Sequence, residues 1–320
     1  MEVESDYTIL LTDPVPRILP RVHSKFKLAH VTSDGIPKGK ALEFAKTLSK
    51  DWYIIPNSPH TRIMLEYANV KLDENPHPHD PHIPRLGHPT SHAWDVEYTL
   101  GTNAQYTPPP GNWILDRKGY PIYIALLYKL WKKGYRYTAW INSNSLFVQN
   151  IGMAYGLVRT IRRIERVDIG VVEVIIAEHD YKPVQFLTNE KPDEQHPVYY
   201  TIGVNNLYEY YTSIKVYIAP SLVEGFGLGP YEANSVGKLA VVNPIENWIR
   251  WSTPCFIHLE PHSLKWVDWG LFEMPYVIPG VEDFEEKLIR VIQGEVKYNP
   301  QDCIKSVEWM TYDWIFKYVA

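Results

Sequence analysis

Cysteine is nearly absent from this chain. Cys255 and Cys303 are the only two among 320 residues, and their wide separation is not the short spacing of a metal knuckle or a dithiol redox pair, which suits a reducing interior. Long apolar runs are also missing: no stretch approaches the roughly 18 residues needed to cross a bilayer. The opening "MEVESDYTILLTDPVPR" begins acidic and holds only a short apolar run, whereas a signal peptide needs a basic start and a longer apolar core. A cytoplasmic protein without a transmembrane segment is expected. No long basic run occurs and the formal net charge is -5, which argues against a sequence-independent grip on nucleic acid phosphates. Internal repeats, low-complexity tracts and Asp-x-Asp are missing too.

What is present is the composition of a globular protein, with 45% hydrophobic and 22% charged residues. The 11 Trp, 23 Tyr and 26 Pro are high; with the sparse cysteine they hint at a thermophilic source. The length favours two domains around two cores. Short buried strands alternate with amphipathic helices: "KLAHVTS", "KGKALEFAKTLSK", "DWYIIPNS" and "PHTRIMLEYANV" read as strand, helix, strand, helix, the rhythm of parallel βα units. Asp73 to Asp95, rich in Pro and His, is the best linker, so residues 1–90 and 91–320 are the expected domains. The rhythm resumes with "VEYTLGT", "YPIYIALLYKLWKKG", "YRYTAWIN" and "GVVEVIIAE". The tail from Asp302 has apolar residues at helical spacing and is expected to pack back across the domain junction.

One stretch carries chemistry. "KVYIAPS" is a nearly continuous apolar run, as a strand covered on both faces should be; a glycine-rich turn follows, then "GPYEANSVG" as a helix ending near Gly237. Ligands of open α/β sheets bind beyond the carboxyl ends of the strands, and Glu224 lies there. Glycines at 225, 227 and 229 let backbone approach a ligand, and the N–H groups opening the next helix favour a phosphate or sugar oxygen. Glu232 falls in that helix's first turns. A carboxylate accepts two hydrogen bonds from a vicinal diol, so one glutamate can read a sugar and the other a ribose.

Pro220-Ser221, Glu224-Gly225-Phe226-Gly227-Leu228, Pro230, Glu232-Ala233, Gly237 and Val241-Val242 together resemble the signature of retaining GT-B glycosyltransferases of family 4, whose two glutamates are separated by seven residues. The resemblance implies an α/β protein of two Rossmann-like domains facing across a cleft. It implies that Glu224 contacts the donor sugar, that the backbone of Gly225, Phe226, Gly227 and Leu228 runs along sugar and diphosphate, and that Glu232 holds the ribose. In that family two basic residues clamp the diphosphate. Lys118 keeps its place before Gly119, with Arg117 beside it, but Thr102 stands after Gly101 where an arginine is expected; one clamp residue is therefore missing or supplied by Arg117. Tyr211 falls near a position where the family has a tyrosine.

The match thins in the first domain, which resembles only the later strands and linker of the family's acceptor domain. The usual first strand with its glycine-rich loop is absent, so this domain is expected to be abbreviated, as would suit a viral or archaeal offshoot. His30, Ser33, Asp34 and Lys38 are candidates on its acceptor side. His77, His79, Asp80, His82, His88 and His92 are interrupted by prolines and show no regular ligand pair, so no metal site is expected. Without Asp-x-Asp, the metal-diphosphate handle of the other large glycosyltransferase fold is lacking as well. The aromatic surplus is read mainly as core, with Trp248 and Trp251 as the alternative, lining an acceptor groove where a sugar could stack. The function implied is metal-independent transfer of a hexose, with retention, from a UDP- or GDP-linked donor to a glycan, lipid or protein. Two rivals stay open: a non-catalytic binder of nucleotide sugars or glycans, and a GT-B enzyme glucosylating DNA bases, which the lack of a basic stripe disfavours.

Overall fold

The structure, a computed structural model, describes residues 2–16, 21–82, 98–104, 116–143, 165–168, 173–176, 184–186, 198–202 and 207–319. The boundary expected near residue 90 lies outside them, as do His88 and His92.

The N-terminal unit is built on three parallel strands in the order β1 (Glu2–Thr12), β2 (Arg21–Val31) and β4 (Tyr53–Pro56). Between β2 and β4 lie the two-residue strand β3 (Ile36–Pro37) and helix α1 (Gly39–Asp51). Ala41, Ala45 and Leu48 recur at helical spacing on the buried side of α1. Ala45 and Leu48 share a small core with Ala29, Val31 and Ile54 of the sheet. Helix α2 (Pro59–Tyr67) follows β4; Ser58 caps it by accepting from the Thr61 N–H, and Pro59 opens it where no amide donor is needed. β1 was not foreseen as a strand: as a sheet edge it leaves Tyr7, Ile9 and Leu11 exposed, so its alternation lacks the contrast of a covered strand.

The larger unit is a seven-stranded parallel sheet whose order is β13-β12-β11-β5-β6-β10-β9. Its members are β5 (Tyr98–Ala104), β6 (Ala139–Ser143), β9 (Val184–Phe186), β10 (Val198–Ile202), β11 (Ile214–Ala219), β12 (Leu239–Val242) and β13 (Phe256–His258); a separate antiparallel pair joins β7 (Glu165–Asp168) to β8 (Glu173–Ile176). Helix α3 (Tyr120–Lys132) covers one face, its Ile122, Leu126, Leu127 and Leu130 all buried. Helix α4 (Leu207–Ser213) precedes β11, α5 (Leu228–Ser235) follows it, and α6 (Glu246–Arg250) lies between β12 and β13. Helix α7 (Val281–Ile292) shares the core of α3 through Phe284 and Leu288. Glu285 of α7 takes ion pairs from Lys129 of α3 and from Lys133, which caps its C-terminus.

Two devices join the units. The hairpin β14 (Pro261–Asp268) and β15 (Phe272–Pro279) turns at Gly270, whose N–H bonds to the Asp268 side chain, and β15 then pairs antiparallel with β3 of the N-terminal unit. The second device is the tail. Helix α8 (Pro300–Val307) stops, Thr311 caps a 3-10 turn (Tyr312–Ile315), and α9 (Phe316–Val319) follows. The helical spacing read from Asp302 is thus broken into pieces, because Thr311 accepts from the Asp313 N–H and starts a new turn. Trp314 lies against His30 and His77, and Tyr318 against Phe26 and Tyr53.

The expectation that the two cysteines suit a reducing interior is corrected, and the disulfide that the sequence left possible but unsupported is present. Cys255 and Cys303, with Cα atoms 5.4 Å apart, form a disulfide that fastens α8 beside the start of β13. Their 48-residue separation hides in sequence a contact that exists only once α8 has docked. Among the described residues no helix is long and apolar enough to cross a membrane.

Candidate active site

β11 is buried at five of its six positions, as a central parallel strand must be. It delivers Pro220, Ser221 and the glycine-rich loop to the carboxyl edge of the sheet. A second segment arrives alongside. Asp116 accepts backbone N–H bonds from Gly119 and, through its side chain, Tyr120, making the tight turn that starts α3. The Leu222 N–H bonds to the Arg117 carbonyl at 2.8 Å, tying this turn to the loop after β11. Gly119 is required here: its φ is 64°, and a Cβ would sit 1.9 Å from the Pro220 carbonyl oxygen.

Four charged side chains meet at that junction. Glu224, 6% exposed, is bonded by the Lys118 ammonium and lies 3.3 Å from Arg117 Nη1. Arg117 also bonds Asp34 of the N-terminal unit at 2.8 Å. Burial opposes ionisation of Glu224, but Lys118 and Arg117 outweigh it and hold the carboxyl below its ordinary range. Arg117 is likewise driven above its usual value: burial disfavours its charge, and Asp34 and Glu224 more than compensate. Two carboxylates and two cations are thus paired, with buried Asp116 adding negative charge near Arg117.

The loop is held from both sides. Asn247, fully buried on α6, donates to the carbonyls of Glu224, Gly225 and Phe226 at 3.0, 3.0 and 3.1 Å, while its Oδ1 accepts the His60 N–H. Trp248 donates to the Gly227 carbonyl. From the N-terminal unit, Ser58 and Thr61 donate to the Gly225 carbonyl and Asp34 accepts the Gly225 N–H. A Cβ on Gly225 would stand 2.6 Å from Thr32 Cγ2 and 3.0 Å from Asp34 Oδ1, so the approach of the two units needs glycine there.

Glu232 sits on α5 behind the loop. Tyr211 donates to its Oε2 at 2.6 Å and itself accepts from Asn103 Nδ2 at 2.8 Å. Burial raises the Glu232 carboxyl above its ordinary range, and the Tyr211 bond offsets part of the shift.

Ser33 and Asp34 line a cavity of about 430 Å³ beyond the carboxyl ends of β1 and β2, together with Thr12, Asp13, His79 and Met274. His30 is not in its wall. It is 1% exposed, its Nε2 bonds to the His77 carbonyl oxygen, and it packs between His79 and Trp314. Burial lowers His30 to about 3 and His79 to about 4, so both are neutral near pH 7. Lys38 pairs with Asp268 on the bridging hairpin. Gly101 and Thr102 lie within β5, where a Cβ on Gly101 would strike Ile214, and Thr102 is 1% exposed. Trp248 is buried as expected of core.

Glu224, Lys118, Arg117, Gly225 and Asp34 are therefore brought into one cluster; Phe226, Gly227 and Leu228 continue its loop, and Glu232 flanks it. Asn247, Ser58, Thr61 and His79 were not read from sequence. A lone amide or hydroxyl on a short helix carries no local signal, and the Pro- and His-rich stretch that holds His79 reads as a linker. Among the described residues no group of three His, Cys, Asp or Glu is arranged to hold a metal ion.

Residues 145–248, about a third of the chain, match the family described as glycosyl transferases group 1. No curated protein matches by sequence. Among solved structures, a glycosyltransferase from Rickettsia africae is similar at 12% identity and a TM-score of 0.51, over 88% of this chain and 63% of that one. Anabaena HepE in complex with UDP gives 11% identity and 0.51, over 88% and 66%. The pneumococcal O-GlcNAc transferase GtfA in complex with UDP and GlcNAc gives 11% and 0.53, over 93% and 51%. The chain thus spans about half to two thirds of the length of these structures. It has the GT-B fold of glycosyltransferases, and its glycine-rich loop lies inside the segment that matches the group 1 family.

Proposed function

We propose that this chain is a retaining, metal-independent hexosyltransferase of the family 4 type, using a UDP- or GDP-linked donor. The observation that carries the reading is the convergence of Arg117 and Lys118 on Glu224 where β11 opens into the glycine-rich loop. Lys118 and Arg117 would meet the diphosphate, helped by the N–H groups that open α5 after Gly227. Glu224 would meet the sugar hydroxyls, and Glu232 would hold the ribose. Gly101 and Thr102 would support the site from within β5. UDP, the nucleotide in the HepE and GtfA complexes, is the first nucleotide to test.

Transfer lengthens the bond from the anomeric carbon to the phosphate oxygen, placing positive charge on the sugar and negative charge on the diphosphate. The cations and helix N–H groups stabilise the leaving group, the role a divalent ion has elsewhere. The leaving phosphate oxygen accepts the proton of the acceptor hydroxyl on the same face, so no side-chain nucleophile is required. Residues 91–320 would bind the donor and residues 1–90 the acceptor, with the cavity at Ser33 and Asp34 as the acceptor pocket.

A screen of nucleotide sugars by thermal shift, with chelator present, tests this reading, since a ligand of the folded state raises its apparent stability. A UDP- or GDP-sugar should raise the melting temperature and be consumed when a glycan or lipid pool is added. Activity that vanished with chelator and returned with manganese or magnesium would overturn the scheme of charge stabilisation. Tight donor binding without turnover on any pool would favour a non-catalytic binding protein.

A further inference from the structure

We infer that Asp34 competes with the donor diphosphate, so that filling the donor site releases this carboxylate into the neighbouring cavity. The inference rests on the donor reading of Arg117 and Lys118. Asp34 belongs to the N-terminal unit, yet its two oxygens take partners from the loops of the larger one. Oδ1 accepts the Gly225 N–H and Oδ2 accepts Arg117 Nη1 at 2.8 Å. A cation and a backbone N–H facing the same carboxylate are the partners a diphosphate or sugar oxygen would seek in that loop.

Charge decides what happens on binding. In the unliganded cluster Asp34 and Glu224 already occupy Arg117 and Lys118, and buried Asp116 adds negative charge near Arg117. A multiply charged diphosphate entering it while both carboxylates remained would leave uncompensated negative charge in a partly buried place, where Coulomb repulsion is weakly screened. Glu224 is 6% exposed and its loop carbonyls are fixed by Asn247, so it has little room to withdraw. Asp34 has room: its side chain is 27% exposed and it already lines the cavity of about 430 Å³. Released from Arg117, the carboxylate faces that cavity as a hydrogen-bond acceptor for a hydroxyl. Donor binding therefore precedes productive acceptor binding, and Asp34 is the positioning residue that couples the two.

The test is calorimetric titration of UDP, GDP and inorganic pyrophosphate into the full chain and into Asp34→Asn. The variant keeps the size of the side chain and an oxygen for the Gly225 N–H, but removes the charge that holds Arg117. Affinity for UDP or GDP, and for pyrophosphate, should rise about tenfold, the scale of one charge-assisted hydrogen bond no longer opposing the ligand. Asp34→Ser should move the same way, which guards against an effect peculiar to asparagine. A gain in affinity is not what a damaged fold produces. Unchanged or weaker binding to the folded variants, with wild type binding normally, overturns the coupling and leaves the donor reading standing. Failure of the wild type to bind any of the three ligands overturns both.

Discussion

Burial disfavours ionisation of both Glu224 and Glu232, yet the two carboxyls shift in opposite directions. Glu224 is held ionised by Lys118 and Arg117, whereas Glu232 accepts from the neutral Tyr211 hydroxyl and is pushed by burial toward its protonated form. In its proposed role Glu232 would accept ribose hydroxyls best as a carboxylate. Nucleotide affinity should therefore fall as pH is lowered through its raised pKa, starting at a higher pH than an ordinary carboxyl would set, and Glu232→Gln should abolish that component in titrations across pH. Glu232→Ala should cost about 1–3 kcal/mol of nucleoside diphosphate affinity, the scale of unsatisfied buried partners. Glu224→Ala should leave nucleoside diphosphate affinity nearly unchanged while depressing transfer, because its proposed partner is the sugar and its gain is realised in the transition state. Full transfer by Glu224→Ala would reduce the loop to a structural turn. These residues were readable because carboxylates, cations and glycines at fixed spacing are chemically conspicuous. Asn247 was not, since what makes it matter is three carbonyls folded around its amide.

At the scale of elements, the strands and helices with strong apolar periodicity were legible: β11, α3 and α5 fall where the apolar runs and glycines put them. Three features escaped. β1 lies at an edge and exposes alternate apolar residues, the bridging hairpin has an outward-facing β14, and the tail is divided by a threonine cap within a periodic sequence. Each depends on a tertiary partner that no local window contains. The disulfide is the extreme case. It closes a loop of 48 residues and anchors α8, just upstream of the segment that crosses to the N-terminal unit. Cys303→Ser with Cys255→Ser should lower unfolding stability by about 2–4 kcal/mol in denaturant titrations. Reductant should reproduce the loss in wild type and have no effect on the double variant.

Over the whole molecule, the tail and the N-terminal sheet meet through a cluster of rings: His30 against His79 and Trp314, and His77 stacked on Trp314. Burial lowers His30 to about 3 and His79 to about 4, and lowers His77 as well. In the unfolded chain these groups titrate near 6.5, so below that pH the unfolded state binds more protons and gains stability relative to the fold. The contribution of neutral burial is complete above about pH 6.5 and is lost as pH falls toward 4, with a steepness approaching about 1.4 kcal/mol per pH unit for each deeply buried histidine. Melting temperatures across that window should decline, and His30→Gln with His79→Gln should flatten the decline.

As the proposed diphosphate site, the junction of the Arg117 turn with the glycine-rich loop would bind a nucleoside diphosphate more tightly than the nucleoside. Calorimetry of nucleoside, nucleoside monophosphate and nucleoside diphosphate, in the uridine and guanosine series with chelator present, on wild type and Lys118→Ala tests it most directly. Diphosphate binding by wild type, weakened in the variant by about 1.5–3 kcal/mol with the nucleoside nearly unaffected, is the predicted result for loss of a charge-assisted hydrogen bond. Equal loss for all three ligands, or diphosphate binding that Lys118→Ala leaves intact, would contradict the account.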